Sequence, residues 1–231
     1  VNFELTKKLY DIFLQSNARK FIFLSSVKAV AEQVEFILTE EHWPEPHTHY
    51  GKSKLMAEVY IQKLPLPPGK TFYILRPCMI HGPGNKGNLK LLYKLISKGW
   101  PWPLGAFGNQ RSFLSIENLC FVVRELSERQ DIPGGVYQIA DDATISTNSL
   151  IQLMASEMNS RPRILKLPRQ LITSIAKLGD KLHLPLNSER LKKLTNSYVV
   201  SNKKLVTALG KPLPVVAVDG IIKTIMSFKK K

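Results

Sequence analysis

The sequence has 231 residues, 44% hydrophobic and 22% charged, with 33 Lys and Arg against 18 Asp and Glu and a formal charge of +15. This length and composition exclude a disordered or collagen-like chain and suffice for a packed core. No run approaches the ~18 uninterrupted apolar residues of a membrane-spanning helix, and no charged segment followed by an apolar stretch opens the chain. The expectation is a soluble cytoplasmic protein whose basic surplus favours an acidic partner. Cys78 and Cys120 sit among apolar neighbours and fit no metal spacing, which predicts reduced core residues and excludes a disulfide scaffold.

Leu5, Leu9, Ile12 and Phe13 share one helical face and predict a helix ending near Ser16, after which Phe21-Ile22-Phe23-Leu24 reads as a strand covered on both sides. Ser25-Ser26 ends that strand. Residues 27–47 are of mixed polarity and read as a long loop. A helix starts near His49 and stops at Leu64-Pro65-Leu66-Pro67-Pro68-Gly69. Phe72-Tyr73-Ile74-Leu75 is the next buried strand, and helix, strand, helix, strand is the order of a parallel sheet with right-handed crossovers. Beyond Arg76-Pro77 come a Gly-rich loop over residues 82–87, a helix over residues 88–98, and the rigid aromatic stretch Gly99-Trp100-Pro101-Trp102-Pro103. A short strand over residues 113–116, a helix over 118–126 and a strand over 136–140 follow. Short helices and Pro-containing turns complete the chain. The expected fold is α/β, a Rossmann-type parallel sheet formed by residues 1–81 with the 136–140 strand returning to it, and a smaller mixed domain interleaved over residues 82–231.

The segment richest in chemistry is Tyr50-Gly51-Lys52-Ser53-Lys54, about 24 residues after Ser26. Residues four apart share a helix face, so the Tyr50 phenol and the Lys54 ammonium are neighbours. A nearby cation favours phenolate over phenol, which makes Tyr50 a candidate general base. Ser26, at the carboxyl end of a parallel strand where such sheets place ligands, can share the same substrate oxygen.

Tyr-x-x-x-Lys after a strand ending Ser-Ser, with Leu75-Arg76-Pro77 downstream, resembles the extended short-chain dehydrogenases/reductases of the nucleotide-sugar epimerase, dehydratase and reductase group, over essentially the whole chain. The resemblance implies that Tyr50 is the catalytic tyrosine and that Lys54 also binds the nicotinamide ribose. It implies that Ser26 polarises the sugar hydroxyl, with Ser25 beside it, and that Asn2 supports the site from the helix before the catalytic strand. Tyr50, Lys54, Ser25, Pro77 and Met79 are thereby expected around an NAD or NADP cofactor. Asn88-Leu89 and Arg111 are expected on the nucleotide diphosphate with Ser26 on the sugar, and Arg190 is a second, weaker arginine match. Met79 where relatives carry Asn, His81 in place of a tyrosine, and Val30-Ala31-Glu32 in place of Val-Tyr-Gly are departures. They point to the branch making surface-polysaccharide sugars.

The resemblance thus implies oxidation and reduction at C4 of a UDP-hexose, as a 4-epimerase. The alternatives are a UDP-4-keto-6-deoxyhexose 4-reductase and a non-catalytic nucleotide-sugar-binding domain. It also implies a homodimer through the first helix and the Tyr50 helix, and about a hundred residues upstream of Asn2 that carry the Gly-rich pyrophosphate turn.

Several other patterns fail on their own terms. Gly82-Pro83-Gly84-Asn85-Lys86-Gly87 satisfies G-x-G-x-x-G but starts several residues past its strand and lacks the acidic residue ~20 positions on. Gly51-Lys52-Ser53 lacks the upstream glycine of a phosphate-binding loop, five scattered histidines form no zinc spacing, and neither serine has G-x-S-x-G around it. Lys and Arg are spread without a nucleic-acid motif, so no nucleic-acid partner and no metal are expected. The helix from Leu171 to Leu182 and the tail Phe228-Lys229-Lys230-Lys231 limit any membrane contact to a peripheral one.

Overall fold

A computed structural model describes residues 2–182 and 187–229, apart from the side chains of Asn2 and Lys193. His183–Leu186 and the last two lysines of the expected basic tail lie outside the described residues. Helix α1 (Asn2–Gln15) leads into β1 (Lys20–Leu24); after the short β2 (Ile37–Leu38), α2 (His49–Lys63) leads into β3 (Thr71–Pro77). With β6 (Gly135–Ile139) these strands form a parallel sheet in the order β1-β3-β6. Helices α1 and α2 cover one face, burying Tyr10, Phe13, Phe23, Ala57, Ile61 and Ile74. Helix α1 has no basic residue in its last turn, and Lys70 supplies the missing cation from the turn before β3. Its Nζ donates to the carbonyls of Phe13, Ser16 and Ala18 at 3.0, 2.6 and 2.7 Å.

The other face packs Tyr73, Leu75, Tyr137 and Ile139 against α4 (Ile116–Glu128) and α8 (Lys203–Leu209). Helix α4 buries Leu119, Val122 and Leu126, and Cys120 falls outside that stripe. Cys120 is therefore exposed, correcting the expectation of two core cysteines; Cys78 is buried as a free thiol.

The chain leaves this sheet at Cys78, whose N–H still donates to the Ile139 carbonyl at 3.1 Å. Strand β4 (Met79–His81) pairs with β5 (Arg111–Ser115), and β7 (Thr144–Ile145) completes a second sheet. The crossing thus falls before residue 79, and residues 79–81 are the first strand of the smaller unit, not the last residues of the parallel sheet. Residues 199–209 pass back to the first unit, where β8 (Val199–Val200) pairs with β2. Buried His81 joins the smaller unit together: its Nδ1 lies 2.9 Å from the Thr224 hydroxyl on α9 (Ala217–Lys229) and its Nε2 3.5 Å from Asp141. Helices α3 (Asn88–Ser97), α5 (Thr147–Glu157), α6 (Arg169–Leu182) and α7 (Ser188–Thr195) build the outer part of that unit.

Candidate active site

The loop after β1 decides where α2 begins. Ser26 caps a short 3-10 turn, Val27–Ala29, its Oγ accepting the Lys28 N–H at 3.2 Å. That bond uses an oxygen lone pair and leaves the Ser26 hydroxyl proton free to be donated. Helix α2 approaches this turn so closely that a Cβ on Gly51 would stand 2.3 Å from the Lys28 carbonyl oxygen and 2.8 Å from Pro46 Cβ. Glycine at position 51 is what lets the first turn of α2, with Tyr50, lie against the Ser26 turn.

Glu32 fixes the same approach from outside. Its carboxylate accepts the N–H groups of His47 and Thr48, at 2.9 and 3.0 Å, and the Thr48 hydroxyl at 2.8 Å. The Thr48 oxygen in turn caps the Gly51 N–H. Desolvation raises the Glu32 pKa, but these bonds outweigh it and hold the carboxyl below its ordinary range. Its contribution to stability is therefore present above the unfolded pKa of ~4.3 and lost as pH falls through the lower folded value. Glu32→Gln is expected to cost about 1–2 kcal/mol at neutral pH, and its urea midpoint should converge on that of the parent as pH drops below ~4.

Lys54, one turn after Tyr50, donates from Nζ to the Leu24 carbonyl at 2.8 Å, at the carboxyl end of β1, and lies 4.8 Å from the centroid of the Phe23 ring. Desolvation lowers its pKa against the opposing pull of Glu58. The Tyr50 phenol remains 49% exposed. Beneath them Glu58, on the next turn of α2, has no solvent exposure. It accepts two bonds from Arg76 Nε, both 3.1 Å, and one from Nη2 at 2.5 Å, and takes the Ser25 hydroxyl as a further donor. Ser25 thus spends its hydroxyl on the scaffold, which leaves its backbone at the carboxyl end of β1 for the expected cofactor contact. Glu58 and Glu32 escaped the reading of the sequence because their partners lie 15 to 33 positions away.

Half-buried Arg111 starts β5, paired by a backbone bridge to Tyr198; burial lowers its pKa and Tyr198 opposes the shift. Tyr198 donates its hydroxyl to the Ala31 carbonyl at 2.7 Å and lies beneath the Lys28 ammonium, 4.2 Å from the ring centroid. It joins the Arg111 strand directly to the turn that carries Ser26. Burial pushes its phenol pKa up, so it stays a neutral donor. Asn88 opens α3, exposed, after a Gly87 cap that offers no side-chain acceptor. Leu89, expected beside the nucleotide, turns its side chain into the core with Phe113, Ile145 and Ile221, while its backbone lies in the first turn of α3 next to Asn88.

Pro77 is buried at the end of β3, and half-buried Met79 packs on the same core as Leu89. Arg190 lies in the first turn of α7, on an exposed surface. Asn2 opens α1. The loop 82–87 follows β4 of the second sheet, outside the parallel sheet that a first dinucleotide turn would end.

The family model described as NAD dependent epimerase/dehydratase matches residues 1–140. A UDP-glucose 4-epimerase of Vibrio cholerae is 28% identical over 233 aligned residues, covering 99% of this chain and 69% of the relative. An N-acetyl-alpha-D-glucosaminyl-diphospho-ditrans,octacis-undecaprenol 4-epimerase of Escherichia coli O157:H7 is 28% identical over 170 residues, 73% of this chain and 51% of the relative. The fold is that of the Bordetella bronchiseptica enzyme WbmG solved with NAD and UDP, at a TM-score of 0.74 and 14% identity, over 99% of this chain and 65% of that one. The chain thus spans about two thirds of the V. cholerae and WbmG lengths and about half of the E. coli one. With the parallel sheet, the Ser26 turn and the Tyr50 helix in place, the chain belongs to the NAD dependent epimerase/dehydratase family.

Proposed function

We propose that the chain carries the proton-transfer and sugar-nucleotide-binding residues of an NAD-type epimerase acting at C4 of a UDP-hexose, in the synthesis of surface-polysaccharide sugars. The observation that supports this most directly is the packing of Gly51 on the Lys28 carbonyl, which brings the Tyr50 end of α2 to the Ser26 turn at the carboxyl end of β1. Relatives named as 4-epimerases of UDP-glucose and of a polyprenyl-linked sugar support the reaction class.

The residues fit a nicotinamide nucleotide. Lys54 spends one ammonium proton on Leu24 and keeps two for vicinal ribose hydroxyls, and 45% of Leu24 is exposed beside it. A nicotinamide held there would supply the hydride acceptor and donor for C4. Tyr50 accepts the C4 hydroxyl proton and gives it back. Ser26 donates its free proton to the same oxygen and orients it. Arg111, Arg190 and the exposed start of α3 at Asn88 neutralise the diphosphate, so that binding energy remote from C4 positions the sugar.

The test is to incubate the full-length gene product with UDP-glucose and NAD. Appearance of the C4 epimer with no net change in nicotinamide absorbance is expected. Stoichiometric consumption of NAD(P)H with a 4-keto sugar would make it a reductase, and UDP-sugar binding with neither change would make it a binding domain.

A further inference from the structure

Helix α6 is apolar on two sides. Ile172, Ala176 and Gly179 face inward, with Ile172 and Ala176 on a core that includes Ile96, Trp102, Ile151 and Leu191. Leu171, Ile175, Leu178 and Leu182, spaced four, three and four apart, form a second stripe that is 49, 42, 54 and 59% exposed. A surface helix of a monomer needs one apolar stripe, so the outer one calls for an occupant.

Charge identifies it. Lys181, three residues after Leu178, is exposed along the border of the outer stripe and Lys177 is exposed one turn before it on the adjoining polar face, while Asp180, the only acidic residue of α6, is taken up by α7, accepting the Ser188 N–H at 2.9 Å and its hydroxyl at 2.5 Å. Residues 160–195 contain nine Lys and Arg against two Asp and Glu. A second copy laid on the same stripe would bring the Lys177 and Lys181 ammoniums of both copies together with no α6 carboxylate to pair them. An anionic lipid surface satisfies both features, since apolar side chains enter the acyl boundary while lysines remain at the headgroups. No helix among the described residues is long and apolar enough to cross a membrane, and α6 at 14 residues suits the plane of the interface.

We propose that α6 docks the protein on an anionic bilayer through Leu171, Ile175, Leu178 and Leu182, with Lys177 and Lys181 at the headgroups. The Asp180–Ser188 bonds tie this docked helix to α7, which carries Arg190. The proposal does not depend on which reaction the site performs.

Co-sedimentation of the purified full-length protein with phosphatidylethanolamine–phosphatidylglycerol vesicles tests it against phosphatidylcholine vesicles. Preferential binding to the anionic vesicles is expected. Leu171→Gln with Leu178→Gln should weaken it at least ~10-fold, and Lys177→Gln with Lys181→Gln should weaken it by about 5-fold per lysine without touching the core. The pair Val216→Gln and Met226→Gln, exposed just before and on α9, should leave vesicle binding unchanged. Equal binding to phosphatidylcholine, or unchanged binding in the Lys177/Lys181 variant, would overturn the proposal. So would an α6 variant that lowers the sedimenting mass while vesicle binding persists, which would make the stripe an interface between copies.

Discussion

Glu58→Ala is expected to lower stability by about 3–5 kcal/mol, because it leaves the Arg76 guanidinium buried without its counter-charge. Both side chains are inside, with Glu58 at 0% and Arg76 at 4% exposure, and Glu58 also receives the Ser25 hydroxyl. Three bonds from Arg76 and one from Ser25 converge on that single carboxylate. They pin α2 to the ends of β1 and β3. For a chain of this size the loss corresponds to a fall of roughly 6–20 °C in melting temperature. The control is Glu58→Met with Arg76→Met, which removes both charges and is expected to recover much of the loss; urea unfolding of the four members of the cycle measures the coupling. A single variant within ~0.5 kcal/mol of the parent would mean that the pair does not hold the two strand ends together.

Tyr50→Phe in the full-length protein is expected to reduce turnover of a UDP-hexose by about a hundred- to ten-thousand-fold, the range for loss of a general acid-base group. Binding of the sugar nucleotide should change little. The phenol is exposed and, among the described residues, makes no hydrogen bond that supports the fold, so removing its oxygen leaves α2 intact. Calorimetric titration with the UDP-sugar and a discontinuous assay of C4 epimers separate the two effects. Turnover close to that of the parent would remove Tyr50 from the proton path.

These side-chain placements share a cause. Ser25 and Ser26 are equivalent in the sequence, yet the extended backbone's alternation sends one hydroxyl to Glu58 and leaves the other capping the Val27–Ala29 turn. Cys120 has the apolar neighbours of a core residue. Only the packed stripe of Leu119, Val122 and Leu126 shows that position 120 faces out. Leu89 follows the exposed Asn88 but takes the inward side of α3. Residues 79–81 read as part of one continuous domain because nothing local records that Met79 pairs with Phe113, 34 positions later.

By itself the sequence determined what depends on neighbours within a few residues. Apolar runs and proline stops set the alternation of helices and strands, and the four-residue spacing of Tyr50 and Lys54 set their common helix. The glycine between them is equally local in identity but acquires its meaning only against Lys28. Tertiary structure decided which groups at the carboxyl ends of the strands are spent on the scaffold and which stay free. Those choices rest on the Glu58–Arg76 pair, the Glu32 clamp and the reach of Tyr198 to Ala31, contacts between residues 15 to 167 positions apart that no local periodicity encodes.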